Sequence, residues 1–359
     1  VGGRDVYHPG QESSRSGIFR PPAGARMKVF DTNWRRFLGR LVVGSLAVLH
    51  ISLFSLDVHA AESSRITVAA SKSGVDGTLM GVFFRDVTHG WVVGEQGTLL
   101  RTTDGGKRWH KMAVGNTASL NAVWFADNGQ GWLVGNRGTI LHCEKDGLVC
   151  KPQLSHTQAP LYNLFFLDTQ IGWVVGAGGT ILGTHDGGQS WQEQVTGSNA
   201  ALYAVSFLTP QKGWVVGAVG TILTTEDGGE TWSSLDAKTA ATFFDVHFTD
   251  TQNGWLVGNA GALHQTIDGG HQWIDRTLSC VRSCARPIDL LRIRFVGAKQ
   301  AWIVGERGAL FTTEDGGFHW SEEPPLTTGT LFGLSALAAD HVWAVGERGA
   351  IVRLTPAVR

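Results

Sequence analysis

Charge is scarce in this chain of 359 residues: Asp, Glu, Lys and Arg make up 17% and nearly cancel, leaving a formal net charge of −1. A nucleic-acid binder needs a basic excess on one face to displace counterions, so this balance argues against such a partner. Catalytic signatures are missing too. The sequence has no His-Glu-x-x-His, no Walker loop and no Gly-x-Ser-x-Gly elbow. Its 13 His are scattered without ligand spacing, so no metal or cofactor is expected. Tyrosine is limited to three residues, and only Tyr162 and Tyr203 lie beyond residue 60. Long apolar runs are also lacking. Leu41–Leu56, interrupted by His50, would span as a helix about 24 Å of a hydrocarbon core ~30 Å thick. What the chain does have is 48 Gly and 14 Trp. That glycine content is about twice the usual ~7% and points to a turn-rich β protein with a repeated motif.

The first sixty residues read as an address. Val1–Arg26 is polar and aperiodic, and is expected to be disordered or to precede the true start at Met27. Residues 27–60 read as a signal peptide. Lys28, Arg35, Arg36 and Arg40 precede the apolar run, and Val58-His59-Ala60 offers a small-residue cleavage site. A retained membrane anchor is the alternative. No Cys follows the run to carry a lipid. Residues 61–359, with 22 Lys and Arg against 27 Asp and Glu, are expected to form one exported domain of net charge −5. It would be monomeric and peripheral to a membrane.

From there one motif is written seven times. Trp followed by two apolar residues and Gly occurs at Trp91, Trp132, Trp173, Trp214, Trp255, Trp302 and Trp343, at spacings of 41, 41, 41, 41, 47 and 41. A second Trp follows 18 residues later in five units: Trp109, Trp191, Trp232, Trp273 and Trp320. It closes an Asp-Gly-Gly box. Each unit reads as four short strands, with Gly-x-x-Gly between the second and third and the Asp box between the third and fourth. In Gly-x-x-Gly, glycine supplies positive φ that Ala218 or Val219 would adopt only at a cost. Four strands per unit and seven units predict an all-β, seven-bladed β-propeller. The seventh unit ends after its third strand, at Arg353. Ile66–Ala69 is expected to supply the missing outer strand and close the ring.

All four cysteines fall where the repeat breaks. Unit two has Cys143 and Cys150 in place of its box, and the six-residue insertion after unit five carries Cys280 and Cys284. An export signal and an even count predict two local disulfides, Cys143–Cys150 and Cys280–Cys284.

The unit Gly-Trp-Val-Val-Gly-x-x-Gly-Thr-Ile-Leu-x-Thr-x-Asp-Gly-Gly-x-x-Trp, plain at Gly172–Trp191 and Gly213–Trp232, resembles the photosystem II assembly and stability factor family of Asp-box (BNR) propellers. The resemblance runs from Leu79 to Arg353. It implies a non-enzymatic exported scaffold, in the periplasm or a thylakoid lumen, that binds a membrane-protein subunit or assembly intermediate. The lipid-attachment Cys of many cyanobacterial members is absent here. Asp boxes also occur in sialidases, so a glycoside hydrolase or a carbohydrate-binding propeller is the alternative. Tyr162 and Tyr203 share one repeat position with Met80, Asn121, Phe244, Leu291 and Phe332, which points to packing and not to a nucleophile.

Candidate site residues come from positions where the units differ. Strand alternation turns the third and fifth residues of each inner strand to the central channel. Unit six places Arg292 and Arg294 there, beside Asp245 and His247 of unit five. The Gly-x-x-Gly turns of units six, seven, one and two carry Glu306-Arg307, Glu347-Arg348, Glu95-Gln96 and Asn136-Arg137. Those of units three, four and five are small and mostly apolar. In a closed ring the first group is one arc. Arg137, Arg292, Arg294, Glu306, Arg307, Glu347 and Arg348 are therefore the expected partner-binding residues. Arg276, Arg282 and Arg286 of the insertion are expected on the same face.

Overall fold

The computed structural model describes residues 66–278 and 287–356. The signal-peptide reading and the Cys280–Cys284 pair lie outside the described residues, as do Arg282 and Arg286. Seven four-stranded antiparallel sheets form a ring. In the first blade the strands run Leu79–Phe84, Gly90–Gly94, Thr98–Thr102 and His110–Met112, from the axis outward. The inner strands of the other six are Leu120–Phe125, Leu161–Phe166, Leu202–Phe207, Phe243–Phe248, Leu290–Val296 and Leu331–Ala338. Each touches its neighbour, and the last touches the first. The predicted closure is present. Ile66–Ser71 pairs antiparallel with Ile351–Pro356 as the outer strand of blade seven, with Ile66 opposite Pro356 and Ser71 opposite Ile351.

Aromatic contacts between blades explain the repeated Trp. In six of the seven blades the ring of the second-strand Trp stacks on a Phe at or next to the end of the next blade's inner strand. Centroids are 4.1 Å apart for Trp91–Phe125, 3.5 Å for Trp173–Phe207 and 3.7 Å for Trp214–Phe248. The box Trp meets that Phe edge-on, at 88° for Phe166–Trp191 and 87° for Phe207–Trp232. Each such pair adds about 1 kcal/mol to the area it buries. A hydrogen bond completes the junction: Trp132 Nε1 donates to Gly187 O (3.1 Å) and Trp173 Nε1 to Gly228 O (3.0 Å). Within a box, Gly188 N donates to Thr184 Oγ1 (2.8 Å) and Ser190 N to Asp186 Oδ1 (2.9 Å).

Blade two solves its missing box differently. Cys143 and Cys150 are bonded, and Cys143 is fully buried in the junction core. The bridged loop puts Asp146 O where other blades put a box glycine carbonyl, and Trp91 Nε1 donates to it (3.0 Å). The Asp146 carboxylate accepts from Arg85 Nη1 and Arg101 Nη2, both at 2.9 Å. The cystine thus preserves the junction and two arginines reinforce it. The seam between blades six and seven is thinner. Ala336 stands where the other blades have Phe, blade seven has no box, and a small cavity of about 40 Å³ opens beside Trp302 and Pro356.

Candidate functional site

Two features of the strands position the site. The first is the Gly-x-x-Gly turn. Its second residue donates to the link that precedes the same blade, as in Glu95 N to Thr78 O (3.0 Å), Glu306 N to Asp289 O (3.0 Å) and Glu347 N to Thr330 O (3.0 Å). Turns and inter-blade links therefore share one face. The third residue of the turn takes positive φ, and it does so whatever its identity: Gln96 55°, Arg137 58°, Val219 54°, Ala260 53°, Arg307 55° and Arg348 56°. The closing glycine takes positive φ as expected (Gly97 65°, Gly220 68°), and the residue before it adopts the same region at a cost where it carries a side chain. The leading glycine is required for space, since a Cβ on Gly94 would sit 2.3 Å from Thr78 O. Positive φ points the third side chain outward. Arg137, Arg307 and Arg348 are exposed, while Glu306 and Glu347 before two of them are half-buried. Glu95 Oε2 accepts from Thr78 N (3.0 Å) and Glu306 Oε2 from Asp289 N (3.4 Å), so these carboxylates also tie the turn to its link. The ring makes blades six, seven, one and two neighbours, so Arg307, Arg348, Gln96 and Arg137 follow one another along one arc. Arg276, ahead of the insertion, is exposed and its Nε donates to Gln265 Oε1 (3.3 Å).

The second feature is a bulge in every inner strand. The register skips one residue after the first pair, as between Leu79 and Gly81 or Leu290 and Arg292. The skipped residues are Met80, Asn121, Tyr162, Tyr203, Phe244, Leu291 and Phe332. A bulge re-aims its side chain, and here all seven line the mouth of the channel on the turn face. They are half-buried, with Tyr162–Tyr203 centroids at 5.2 Å and Tyr203–Phe244 at 5.5 Å. The sequence reading placed these residues in packing. The signal for their real place was the presence of five residue types among seven units at one repeat position, beside Leu or Phe in every unit one residue earlier.

The mouth is a cavity of about 420 Å³. Below it the channel holds a further cavity of about 340 Å³, lined by Asn163, Ser206, Asp245, His247, Arg292 and Arg294 among others. The expected charged group is assembled, with a different pairing. Asp245 is buried, and its Oδ2 accepts from Arg294 Nη1 (2.5 Å) and Ile293 N (3.0 Å). His247 does not bond Asp245 but stacks on Phe295 at 5.8 Å. Burial, then the Arg294 charge, push its pKa down to about 4, against the opposing pull of Asp245. Arg292 Nη1 donates only to the carbonyls of Leu291 (2.7 Å) and Phe244 (3.3 Å). Burial lowers its pKa from the ordinary arginine value, and the guanidinium keeps its charge. Met80, Asn121 and Arg292 line both cavities, so Arg292 stands at the junction of mouth and channel.

A seven-bladed ring with Asp-box repeats and a variable face is the architecture of a repeat-built binding scaffold. The family model for photosynthesis system II assembly factor YCF48 matches residues 63–154, 149–239 and 232–356, and the chain belongs to that family. No curated protein sequence matches. Among solved structures, YCF48 bound to D1 peptide is 21% identical with a TM-score of 0.68, covering 81% of this chain and 95% of that one. YCF48 from Cyanidioschyzon merolae is 18% identical with a TM-score of 0.66, covering 80% and 98%. Virginiamycin B lyase from Staphylococcus aureus is 13% identical with a TM-score of 0.69, covering 82% and 99%. At these identities the likeness establishes the propeller fold.

Proposed function

We propose that this chain is a non-enzymatic, exported scaffold that docks a membrane-protein subunit or assembly intermediate on its turn face. The observation that carries the reading is the charged arc on a member of an assembly-factor family: Arg307, Arg348 and Arg137 project from three of four consecutive blades, with Gln96 on the fourth, each held outward by the same backbone conformation. Glu306 and Glu347 bring carboxylates to the same turns, and Arg292 and Arg294 extend the basic character toward the axis. A related propeller has been solved bound to D1 peptide, which supports a polypeptide as partner. The scaffold would act at a membrane surface after signal removal, as a monomer.

The test is capture from native envelopes with purified protein as bait. Wild type should retain a membrane-protein subunit identifiable by mass spectrometry. The Arg307→Glu/Arg348→Glu variant should lose about tenfold in affinity, about 1.4 kcal/mol, with an unchanged melting temperature. Undiminished capture by the variant would refute the assignment of this arc.

A further inference from the structure

The axial mouth differs in character from the charged arc around it. Six of the seven bulge residues are apolar or aromatic, and Asn121 alone among them is an amide. Ligand pockets are commonly ~300–1,000 Å³, mostly apolar, with a few placed polar groups. The mouth, at about 420 Å³, fits that description. Its polar group is at the floor. The channel contains two arginines and one aspartate from blades five and six, and the aspartate is taken: Asp245 pairs with Arg294. His247 is neutral at pH 7 because its pKa lies near 4. Among the described residues Arg292 forms no ion pair, and the bonds of its Nη1 go to two backbone carbonyls. One more carboxylate lies at the rim, Glu95, which belongs to blade one, two blades away, and is bonded to the Thr78 N–H.

The floor therefore carries one positive charge that nothing on blades five and six neutralises. A guanidinium is a five-donor fork that suits a carboxylate. Set under apolar walls that limit screening, it attracts an anion more strongly than it would in open water. Tyr162, Tyr203 and Phe244 form a continuous aromatic arc above it.

We propose that the mouth is a binding site for a monocarboxylate carried on an apolar body, with the carboxylate at Arg292 and the body against the arc of Tyr162, Tyr203 and Phe244. Two sources share that chemistry: a free aryl or aliphatic acid, and the terminal residue of a polypeptide. The site shares Arg292 with the proposed docking face, but its test uses purified protein and small probes, so its failure is distinguishable from a failure of partner capture at Arg307 and Arg348.

Isothermal titration calorimetry with matched probes tests it. One pair is 3-phenylpropionate and 3-phenylpropionamide, and the other is Gly-Gly-Phe as free acid and as carboxamide. The acid of at least one pair should bind about tenfold tighter than its amide. Arg292→Gln should remove that preference, while Tyr203→Ala should weaken acid and amide alike. Leu291→Glu leaves Arg292 in place and sets a carboxylate beside it, at a half-buried position on the mouth, and its fold is checked by an unchanged melting curve. It should abolish acid binding, and so covers the case in which Arg292→Gln does not fold. A preference confined to the peptide pair assigns the site to chain termini; one seen with the small pair assigns it to free acids. Equal binding of acid and amide in both pairs, no binding of any probe, or an acid preference that survives in Leu291→Glu would overturn the proposal.

Discussion

Val219 is a β-branched residue held at φ 54° and 73% exposed. Such a residue in the left-handed region is strained, so the turn imposes the conformation against local preference. Sequence reasoning located these turns because glycines flank them, and it missed that the third position is left-handed in every one that carries a side chain there. The same logic applies to His247. Its place in the channel was legible from strand alternation, whereas its neutrality came from burial, which no pattern shows. Its pKa is near 4 in the fold and about 6.5 in an unfolded chain. Between those values the unfolded state binds more protons, so stability falls as pH drops from about 6.5 to about 4. His247→Phe, which copies Phe83 and Phe165 at the same repeat position, should flatten that limb in thermal melts between pH 4 and 7. A separate limb belongs to the boxes. The Ser190 hydroxyl and N–H hold Asp186 at about 2, and Thr231 does the same for Asp227. Their stabilisation is present above about pH 4 and is lost as pH falls toward 2.

At the scale of elements, the strands were legible because Gly-Trp-x-x-Gly recurs at a fixed period and each flanking turn has its own glycine signature. The inner-strand bulge was not legible, since it leaves no glycine or proline and shows only as a variable second residue. The Cys143–Cys150 pairing was readable from position. What it preserves was not: the bond from Trp91 to a carbonyl in the next blade, now supplied by Asp146. Removing the bridge should therefore cost more than loop entropy alone. Cys143→Ser/Cys150→Ser is expected to lower unfolding stability by at least about 2 kcal/mol in urea titrations. Reductant should reproduce the loss in wild type. Loss in the variant with none on reduction would show that serine in the core, and not the bridge, is responsible.

For the whole molecule, the count of seven blades and the closing strand followed from arithmetic on the repeat, and the ring bears both out. The charged arc depended on that count, because only a closed seven-membered ring makes blades six, seven, one and two adjacent. Deleting residues 64–69 removes the partner of Ile351–Pro356 and exposes an unpaired edge. Size-exclusion chromatography of that deletion should show aggregate in place of a monomer peak, and a monomer with unchanged melting would contradict the role given to the strand.

The strand that locks the circle is synthesised ahead of the first six sheets, and its mate, Ile351–Pro356, is the last strand to emerge. Translation can thus complete six sectors while the seventh is still missing, and a partial product has no axis. Met80 comes from the opening sector and Phe332 from the final one, yet they face the same opening. The opening at the hub is consequently assembled only once the polypeptide is whole.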